Sequence, residues 1–309
     1  MSKKIAITCG DFNGIGPEII VKALNRLALP AENVVLIGAS ELFGGLKQSY
    51  EVIEIPFEKS WLKYGRETKE AGEFSYQCLI KACEMAKTEE VSAIVTAPVS
   101  KNALHLAGHD YSGQTEVLEK NLADFAKGEK AEMLFVSGDF RVLLLTRHVA
   151  LKDVKITKGL LVEKVERISQ VLKEKFGVAQ PKIALCSLNP HAGENGVIGT
   201  EEIDEFLPAI KELRALGMDV SAPQPSDTLF VKAAKAYLNE ESQPYDVYCA
   251  CYHDQGLIPV KMLAMDNTVN MTVGLGVVRT SPAHGTAYDI AGMGAADEDS
   301  MVCAIEQVL

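Results

Sequence analysis

Three histidines follow short apolar segments of the sequence and are candidates for binding a metal. They are His148 in TRH, His191 in NPHAGE and His253 in YHDQG. Ligands of open α/β sheets collect beyond the carboxyl ends of strands, so side chains that follow predicted strands can converge on one site. Neutral imidazoles suit Zn²⁺ and other first-row divalent ions. One histidine of this kind is more often structural, but three of six in equivalent positions favour a metal site.

A series of polar residues follows the last of these histidines through otherwise apolar sequence. It begins with His253-Asp254-Gln255-Gly256 and continues to Lys261, Asn270 and Arg279. Lysine and arginine side chains hold phosphate or carboxylate groups, and a lysine with a lowered pKa near a metal can exchange a proton. The alternative is a set of solvated surface charges. Arg279 lies in a glycine-rich apolar segment, which favours a function for it.

The segment from Gly10 to Glu18, GDFNGIGPE, lies between a predicted strand and a predicted helix. Its three glycines permit close approach of another backbone, and a helix N-terminus attracts anions. A tight strand-to-helix turn explains the pattern equally well. The spacing does not match the Rossmann GxGxxG pattern, so a nicotinamide cofactor would need another mode of binding.

A second glycine-bearing segment runs from Arg279 to Gly292, RTSPAHGTAYDIAG. The pattern predicts a loop that enters a short helix ending at a glycine, which is a plausible cradle for a nucleotide. Taken alone, the segment is equally a loop and a capped helix.

Composition limits the class of protein. The chain has 309 residues, of which 47% are hydrophobic and 24% are charged, as in globular proteins. A formal net charge of −11 argues against a nucleic-acid surface. Seven scattered cysteines without a CxxC pair indicate reduced thiols. The apolar stretch that follows the first lysines is too short for a secretory leader, and no apolar segment is long enough to cross a membrane. We therefore expect a cytoplasmic protein.

Alternation of short β-branched segments with helical periodicity predicts an α/β fold with a mainly parallel sheet. The predicted strands are Lys4–Thr8, Val34–Ile37, Ala93–Thr96, Met133–Val136, Val142–Thr146, Ile183–Leu188 and Val247–Cys251. The predicted helices are Pro17–Ala28, Glu70–Lys87, Thr115–Phe125, Thr157–Phe176, Glu201–Leu216 and Thr228–Leu238. We expect two domains, one discontinuous (residues 1–110 plus 265–309) with the cofactor loops, and one (residues 111–264) with metal and dimer contacts.

Together these motifs resemble the 4-hydroxythreonine-4-phosphate dehydrogenase family, within the isocitrate and isopropylmalate dehydrogenase-like fold. The matching segments span nearly the whole chain in order and include ITCGDFNGIGPE, VTAPVSK, SGQTE, LLLTRHVAL, LNPHAGENGVIG, SDTLF, CYHDQGLIPVK and VNMTVGLGVVRTSPAHGTAYDIAG. The resemblance implies two α/β/α domains with the active site in the interdomain cleft. It also implies a homodimer with shared active sites.

The resemblance assigns roles to individual residues. His148, His191 and His253 match the ligands of one divalent metal (Zn²⁺, Mg²⁺, Mn²⁺ or Co²⁺) per active site, drawn from both subunits. The positions that match substrate contacts are Gln114, Thr115, Lys261, Asn270 and Arg279. The loops that hold NAD or NADP in isopropylmalate dehydrogenases are similar to the segments that contain Gly14, Gly16, Glu18, His284, Gly285 and Asp289.

Three positions depart from the family pattern. Gln114 replaces the histidine of GHTE, which removes a protonatable group but keeps hydrogen bonding. Ala283 replaces the aspartate before HGTA, and Gly276 stands where proline is common. The first change bears on the substrate, and the second removes a carboxylate beside the expected cofactor loop.

The expected chemistry is metal-assisted oxidation of an alcohol. The metal would lower the pKa of the reacting hydroxyl of 4-phosphohydroxy-L-threonine as hydride leaves for the nicotinamide, and the β-keto acid formed would lose carbon dioxide. Lys261, or a water near Asp254, would accept the proton. The alternatives are a relative that acts on a 4-phosphorylated threonate, an erythronate or a cyclic dihydrodiol, a phosphoacyl transferase, and a binding protein without activity.

Overall fold

The computed structural model describes residues 4–309, which form two compact units. Among the described residues, the first unit comprises residues 4–131 and 269–309, and the second is Glu132–Thr268. The expectation that no secretory leader begins the chain involves residues 1–3, which lie outside the described residues. Each unit is described by itself below.

The first stretch of the chain alternates strands and helices. Its elements are β1 (Lys4–Thr8), α1 (Gly16–Leu27), β2 (Val34–Gly38), β3 (Glu51–Glu54), α2 (Lys69–Lys87), β4 (Val91–Thr96), α3 (Lys101–Leu106) and α4 (Gln114–Leu122). Strand β2 is buried along its whole length, as its VVLIG sequence predicts for a strand covered on both faces. Proline in the first turn suits the start of α1, and the Thr68 side chain accepts a hydrogen bond from Ala71 N at the start of α2.

The second unit continues this alternation. Its elements are β5 (Glu132–Ser137), β6 (Phe140–Leu144), α5 (Lys158–Phe176), β7 (Lys182–Cys186), α6 (Leu207–Ala215), β8 (Asp219–Gln224), α7 (Ser226–Leu238), β9 (Val247–Ala250) and α8 (His253–Ala264). A π-helical turn at Glu202–Phe206 precedes α6. The chain then returns to the first unit with β10 (Val269–Val273), β11 (Val278–Pro282) and α9 (Asp299–Glu306).

Each unit has a mainly parallel set of strands. In the first unit the strand order is β3-β2-β1-β4-β11-β10, and the β10–β11 pair is antiparallel. In the second unit the order is β5-β6-β9-β7-β8, with β5 antiparallel to β6. Strands β6, β9 and β7 are parallel neighbours, so their carboxyl ends lie at one edge. The predicted α/β class is confirmed.

The interior of the second unit is built around aromatic side chains. Phe140, Phe230 and Tyr248 pack together, with ring centroids of Phe140 and Tyr248 5.6 Å apart. All seven cysteines are free, and six of them are buried. Within residues 4–309 no helix is long and apolar enough to cross a membrane.

Two expectations about the organisation were wrong. The first domain crossing lies between Ala131 and Glu132 and not after residue 110, because α4 packs on α2 and so stays with the first unit. The return crossing at Val269 lies near the predicted position. The short helix predicted after His284 is absent from the described structure, where residues 283–298 form turns and irregular chain that follow β11.

The contact between α2 and α3 depends on a glycine. A Cβ atom added to Gly72 would lie 1.9 Å from the carbonyl oxygen of Ala103, whereas a Cβ at Gly159 in α5 would meet nothing within 4 Å. We expect Gly72→Ala to lower the free energy of unfolding by about 3 kcal/mol because the two backbones must separate. The matched change Gly159→Ala should leave stability unchanged or raise it by up to about 1 kcal/mol. Urea unfolding measures both, and equal effects would contradict this explanation.

Candidate functional site

The three predicted histidine ligands lie beyond the carboxyl ends of three neighbouring parallel strands of the second unit. His148 follows β6, His253 begins α8 directly after β9, and His191 lies in the turn after β7. Because these strands are adjacent, the segments that carry the histidines lie at the same edge of the sheet. Sequence separation alone could not establish this arrangement.

Two of the histidines are close within one chain. The ring centroids of His148 and His253 are 5.6 Å apart. Two imidazoles that share one ion have centres roughly 5 Å apart, given metal–nitrogen bonds of about 2.1 Å, so this pair fits the predicted metal. His191 is exposed beyond the neighbouring strand. Within residues 4–309 of a single chain, no group of three or more His, Cys, Asp or Glu side chains is arranged to hold a metal.

Asp254 fixes the orientation of one of these rings. Its Oδ1 atom lies 2.8 Å from Nδ1 of His253, which leaves Nε2 of the ring available. Metal-binding histidines commonly use their second nitrogen in this way. The Asp254 side chain is 73% exposed, so water reaches the carboxylate.

The turn that carries His191 has an uncommon backbone. Residues 191–195 all have positive φ angles, from 43° to 78°, and four of the five are not glycine. Each such non-glycine residue costs about 1 kcal/mol, so the surrounding structure must hold the turn in place. Asn189 supplies this support, because its backbone N–H and its side-chain amide both donate to the buried carboxylate of Glu202, at 2.8 and 2.9 Å.

Lys261 lies on α8, eight residues after His253. With a helical rise of about 1.5 Å per residue, it lies about 12 Å along the axis from that histidine. The Lys261 side chain is exposed. Helix α8 therefore does not bring Lys261 close to His253 of the same chain.

Arg279, in the first unit, is a buried cation. It is 3% exposed, and its guanidinium donates to Thr96 Oγ1 at 2.8 and 2.6 Å and to Thr272 Oγ1 at 3.4 Å. No carboxylate in the described part of the chain forms a salt bridge with it. Burial lowers the pKa of Arg279 to about 10, and the negative charge of Glu116 partly opposes this shift. A buried cation bonded to neutral hydroxyls is suited to receive an anion.

Two further predicted substrate contacts in the first unit have unused hydrogen-bonding atoms. Gln114 begins α4 and donates from Nε2 to the carbonyl oxygen of Ala97 at 3.1 Å. Its Oε1 atom and Oδ1 of Asn270 are buried, and neither has a partner among the described residues. Thr115 is also buried, at 4% exposure. Arg279 and Gln114 are therefore both anchored at the carboxyl end of β4.

Backbone atoms of the protein itself occupy the space beside the glycines of the GDFNGIGPE segment. Cβ atoms at Gly14 and Gly16 would lie 2.8 Å from Thr286 O and 2.5 Å from Cys9 O. Ile15 N donates to Thr286 O at 3.0 Å. This geometry describes a tight turn that packs on the segment after β11. Contact between these glycines and a cofactor stays a prediction.

The other predicted cofactor residues occupy different environments. Glu18 accepts from Ala296 N at 2.8 Å and pairs with Lys22 at 2.9 Å. His284 Nδ1 lies 3.0 Å from the carbonyl oxygen of Gly285, and its Nε2 is buried without a partner in residues 4–309. Gly285 and Asp289 are exposed.

A cavity of about 600 Å³ borders this region of the first unit. Gly14 and Glu18 line it together with Phe57, Tyr64 and Gly292. Its aromatic and charged walls enclose enough space for part of a nucleotide.

A buried network that no sequence motif indicated joins the two glycine-bearing segments. Tyr288 OH donates to Asp11 Oδ2 at 2.6 Å, and Asn13 N donates to Asp11 Oδ1 at 2.8 Å. Burial raises the pKa of the Asp11 carboxyl, and these two hydrogen bonds partly oppose that shift. The signal in the sequence was an aspartate among glycines, GDFNG, together with a tyrosine in HGTAYDIAG.

Residues 15–308 match the protein family described as pyridoxal phosphate biosynthetic protein PdxA. The chain belongs to this family. It is 39% identical to the D-threonate 4-phosphate dehydrogenase of Cupriavidus necator, covering 98% of this chain and 95% of that one. It is 38% identical to the 4-hydroxythreonine-4-phosphate dehydrogenase of Sulfurihydrogenibium sp., covering 98% and 96%.

Solved structures agree with this membership. The 4-hydroxythreonine-4-phosphate dehydrogenase of Klebsiella pneumoniae superposes with a TM-score of 0.85 at 35% identity, covering 100% of this chain and 97% of that one. An isocitrate dehydrogenase from Methylococcus capsulatus shares the fold, with a TM-score of 0.51 at 15% identity over 99% and 84% of the chains. The expected family, fold and enzyme class are confirmed, and the chain is a dehydrogenase of the PdxA family.

The Asp11–Tyr288 bond should stabilise the fold in a pH-dependent way. Tyr288→Phe removes a donor to an ionised carboxylate, so it should raise the pKa of Asp11 further. We expect a loss of about 2 kcal/mol in the free energy of unfolding at pH values well above the pKa of Asp11. This loss should shrink as acid protonates the carboxylate.

Urea unfolding of both proteins at neutral and mildly acidic pH measures this difference. Tyr248→Phe is the matched control, because Tyr248 OH donates to the neutral Oε1 of Gln243 at 2.9 Å. Its effect should not change over the same pH range. Equal pH dependence of the two variants would contradict the assignment.

Proposed function

We propose that this chain catalyses the metal-dependent, NAD(P)-linked oxidation of 4-phosphohydroxy-L-threonine to 2-amino-3-oxo-4-phosphooxybutanoate. This product decarboxylates to 3-amino-2-oxopropyl phosphate, a step in pyridoxal 5'-phosphate biosynthesis. The observation that carries the proposal is the placement of His148, His191 and His253 after three adjacent parallel strands in a dehydrogenase of this family.

The three histidines would hold one divalent ion, Zn²⁺, Mg²⁺, Mn²⁺ or Co²⁺. Bound there, the ion would supply a Lewis acid that lowers the pKa of the substrate hydroxyl and stabilises negative charge on its oxygen. The Asp254 carboxylate would hold the His253 ring in the orientation required. Water at the exposed Asp254 carboxylate would accept the proton of that hydroxyl, or Lys261 would accept it across the subunit interface of the inferred homodimer.

The first unit would bind the substrate's anionic end. The Arg279 guanidinium is buried and bonded to hydroxyls, so a phosphate or carboxylate would supply its missing countercharge. Thr115, Gln114 and Asn270 would complete the contacts, and the unpartnered amide oxygens would accept hydrogen bonds from donor groups of the ligand.

A nicotinamide cofactor, NAD or NADP, would bind beside the two glycine-bearing segments and receive the hydride. Gly14 and Glu18 border the cavity of about 600 Å³, which supports this placement. His284 would contribute the acceptor Nε2, which is buried without a partner in the part of the chain described. Gly16, Gly285 and Asp289 complete the proposed cofactor set.

We also infer a cytoplasmic homodimer with shared active sites. Helix α8, which carries His253 and Lys261, exposes Ile258 and Met262 by 57% and 82%, and its C-cap residue Met265 is 51% exposed. This spacing places the three side chains along one side of the helix. An exposed apolar face on the helix that carries predicted site residues supports a partner subunit there.

D-threonate 4-phosphate is the second candidate substrate. The relatives that carry this name are as similar to the chain as those named for 4-hydroxythreonine 4-phosphate, at 39% and 38% identity. The two substrates share a phosphate and a carboxylate, and they differ in bearing a hydroxyl or an amine on the second carbon. Arg279 would serve either one.

The proposed activity is tested by following the absorbance of reduced nicotinamide with each substrate, either cofactor and each of the four metals. We expect turnover that EDTA abolishes and that a divalent metal restores. His191→Ala should lower kcat/KM by at least about 100-fold, because a metal ligand is lost. Absence of metal-dependent turnover with every phosphorylated hydroxy acid would overturn the dehydrogenase assignment to these substrates.

The role of Arg279 has its own test. Arg279→Met should lower kcat/KM by about 100-fold, which corresponds to about 3 kcal/mol, because a buried charge-assisted contact with the substrate is lost. Inorganic phosphate should raise the Tm of the wild-type protein but not that of this variant.

Arg141→Met is the matched control, since Arg141 is also buried but pairs with Asp139 at 2.8 Å in the second unit. It should lower stability and leave KM unchanged. If phosphate still raises the Tm of Arg279→Met, Arg279 is not part of the anion site.

A further inference from the structure

A chain of hydrogen bonds crosses the ends of the three strands that lead to the histidines. Thr146 Oγ1 donates to Cys251 O at 2.6 Å, which joins the segment after β6 to the end of β9. Cys251 N donates to Gln255 Oε1 at 2.6 Å. Gln255 Nε2 then donates to Ser187 O at 2.7 Å, which joins the end of β9 to that of β7. All three bonds lie within the second unit.

Gln255 is the central link of this chain. It lies two residues after His253 in the first turn of α8, and it is only 9% exposed. Its amide oxygen accepts one hydrogen bond, and its amide nitrogen donates two, the second of them to Ser226 Oγ at 3.3 Å. A primary amide offers a donor and an acceptor side by side, which lets one side chain connect an N–H of one segment to a C=O of the next.

The same connection continues to the turn that carries His191. Ser187 Oγ donates to the carbonyl oxygen of Asn189 at 2.9 Å. Asn189 is in turn held by the buried carboxylate of Glu202, which supports the left-handed backbone beginning at His191. Gln255 therefore contacts the base of the segments that present His253 and His191.

We propose that Gln255 is a positioning residue that, together with the bond from Thr146 to Cys251 O, holds the three histidine segments for metal binding. The inference rests on the metal site proposed above. Metal–nitrogen bonds tolerate little change in length, so displacement of a segment would weaken coordination by the histidine that the segment carries. Because the bonds lie within one chain, they position its histidines whether the ligand set is completed by one subunit or by two.

Gln255→Met tests this role, because methionine keeps the length of the side chain but removes all three hydrogen bonds. We expect the Kd for Co²⁺, measured by calorimetry and by the visible absorbance of the bound ion, to rise about 10- to 100-fold in the purified full-length protein. The unfolding transition should remain cooperative.

Gln243→Met is the matched control. Gln243 also uses both ends of its amide, donating to Ala233 O at 3.2 Å and accepting from Tyr248 OH at 2.9 Å. It precedes β9, so it lies at the opposite end of the strand from the histidines. This variant should lose stability while its Kd for Co²⁺ stays within about twofold of wild type.

Thr146→Val is the second test variant, for use if Gln255→Met does not fold. It removes only the bond to Cys251 O and should weaken Co²⁺ binding in the same direction by a smaller factor. Folded Gln255→Met or Thr146→Val protein with wild-type affinity would overturn the positioning role and leave the metal site intact. Absence of Co²⁺ binding by the wild type, or binding unchanged by His191→Ala, would overturn the metal site itself.

Discussion

Parallel pairing of β6, β9 and β7 is the constraint on which the arrangement of the candidate metal site depends. Parallel strands end at the same edge, so the chain can bring together histidines that are far apart in sequence. The strand ends alone do not fix side-chain positions to the accuracy that a metal requires. The buried amide of Gln255 and the carboxylate of Glu202 supply that additional restraint within the second unit.

Much of this arrangement could be predicted from the sequence. The apolar, β-branched segments at Ile5, Val34 and Ile183 identify buried strands, and the three histidines stand out because each follows such a segment. Helix α8 was not predicted, because Gly256 and Pro259 interrupt the helical pattern of HDQGLIPVK. Tertiary packing overrides that local preference, since α8 lies against β6 and β9.

Other features depend on contacts that no local pattern encodes. The crossing at Ala131 is set by packing between α2 and α4, which the periodicity of the sequence does not show. The glycines from Gly10 to Gly16 suggested an anion site, but Gly10 and Gly14 lie against backbone atoms of the distant residues Pro98 and Thr286. The hydrogen bond between Asp11 and Tyr288 likewise joins residues 277 positions apart.

The buried polar groups that support the histidine segments and those around Arg279 differ in how they are satisfied. Around the histidine segments of the second unit, the amide of Gln255 and the carboxylate of Glu202 are fully engaged with neighbouring protein atoms. In the first unit, Arg279 is bonded to neutral hydroxyls, and the buried amide oxygens of Gln114 and Asn270 have no partner in residues 4–309. Buried groups without partners reduce stability, so a fold that retains them gains most when a ligand completes their bonds. Gln255 and Glu202 therefore hold a framework around the histidine segments, whereas the polar groups of Arg279, Gln114 and Asn270 are open to a ligand.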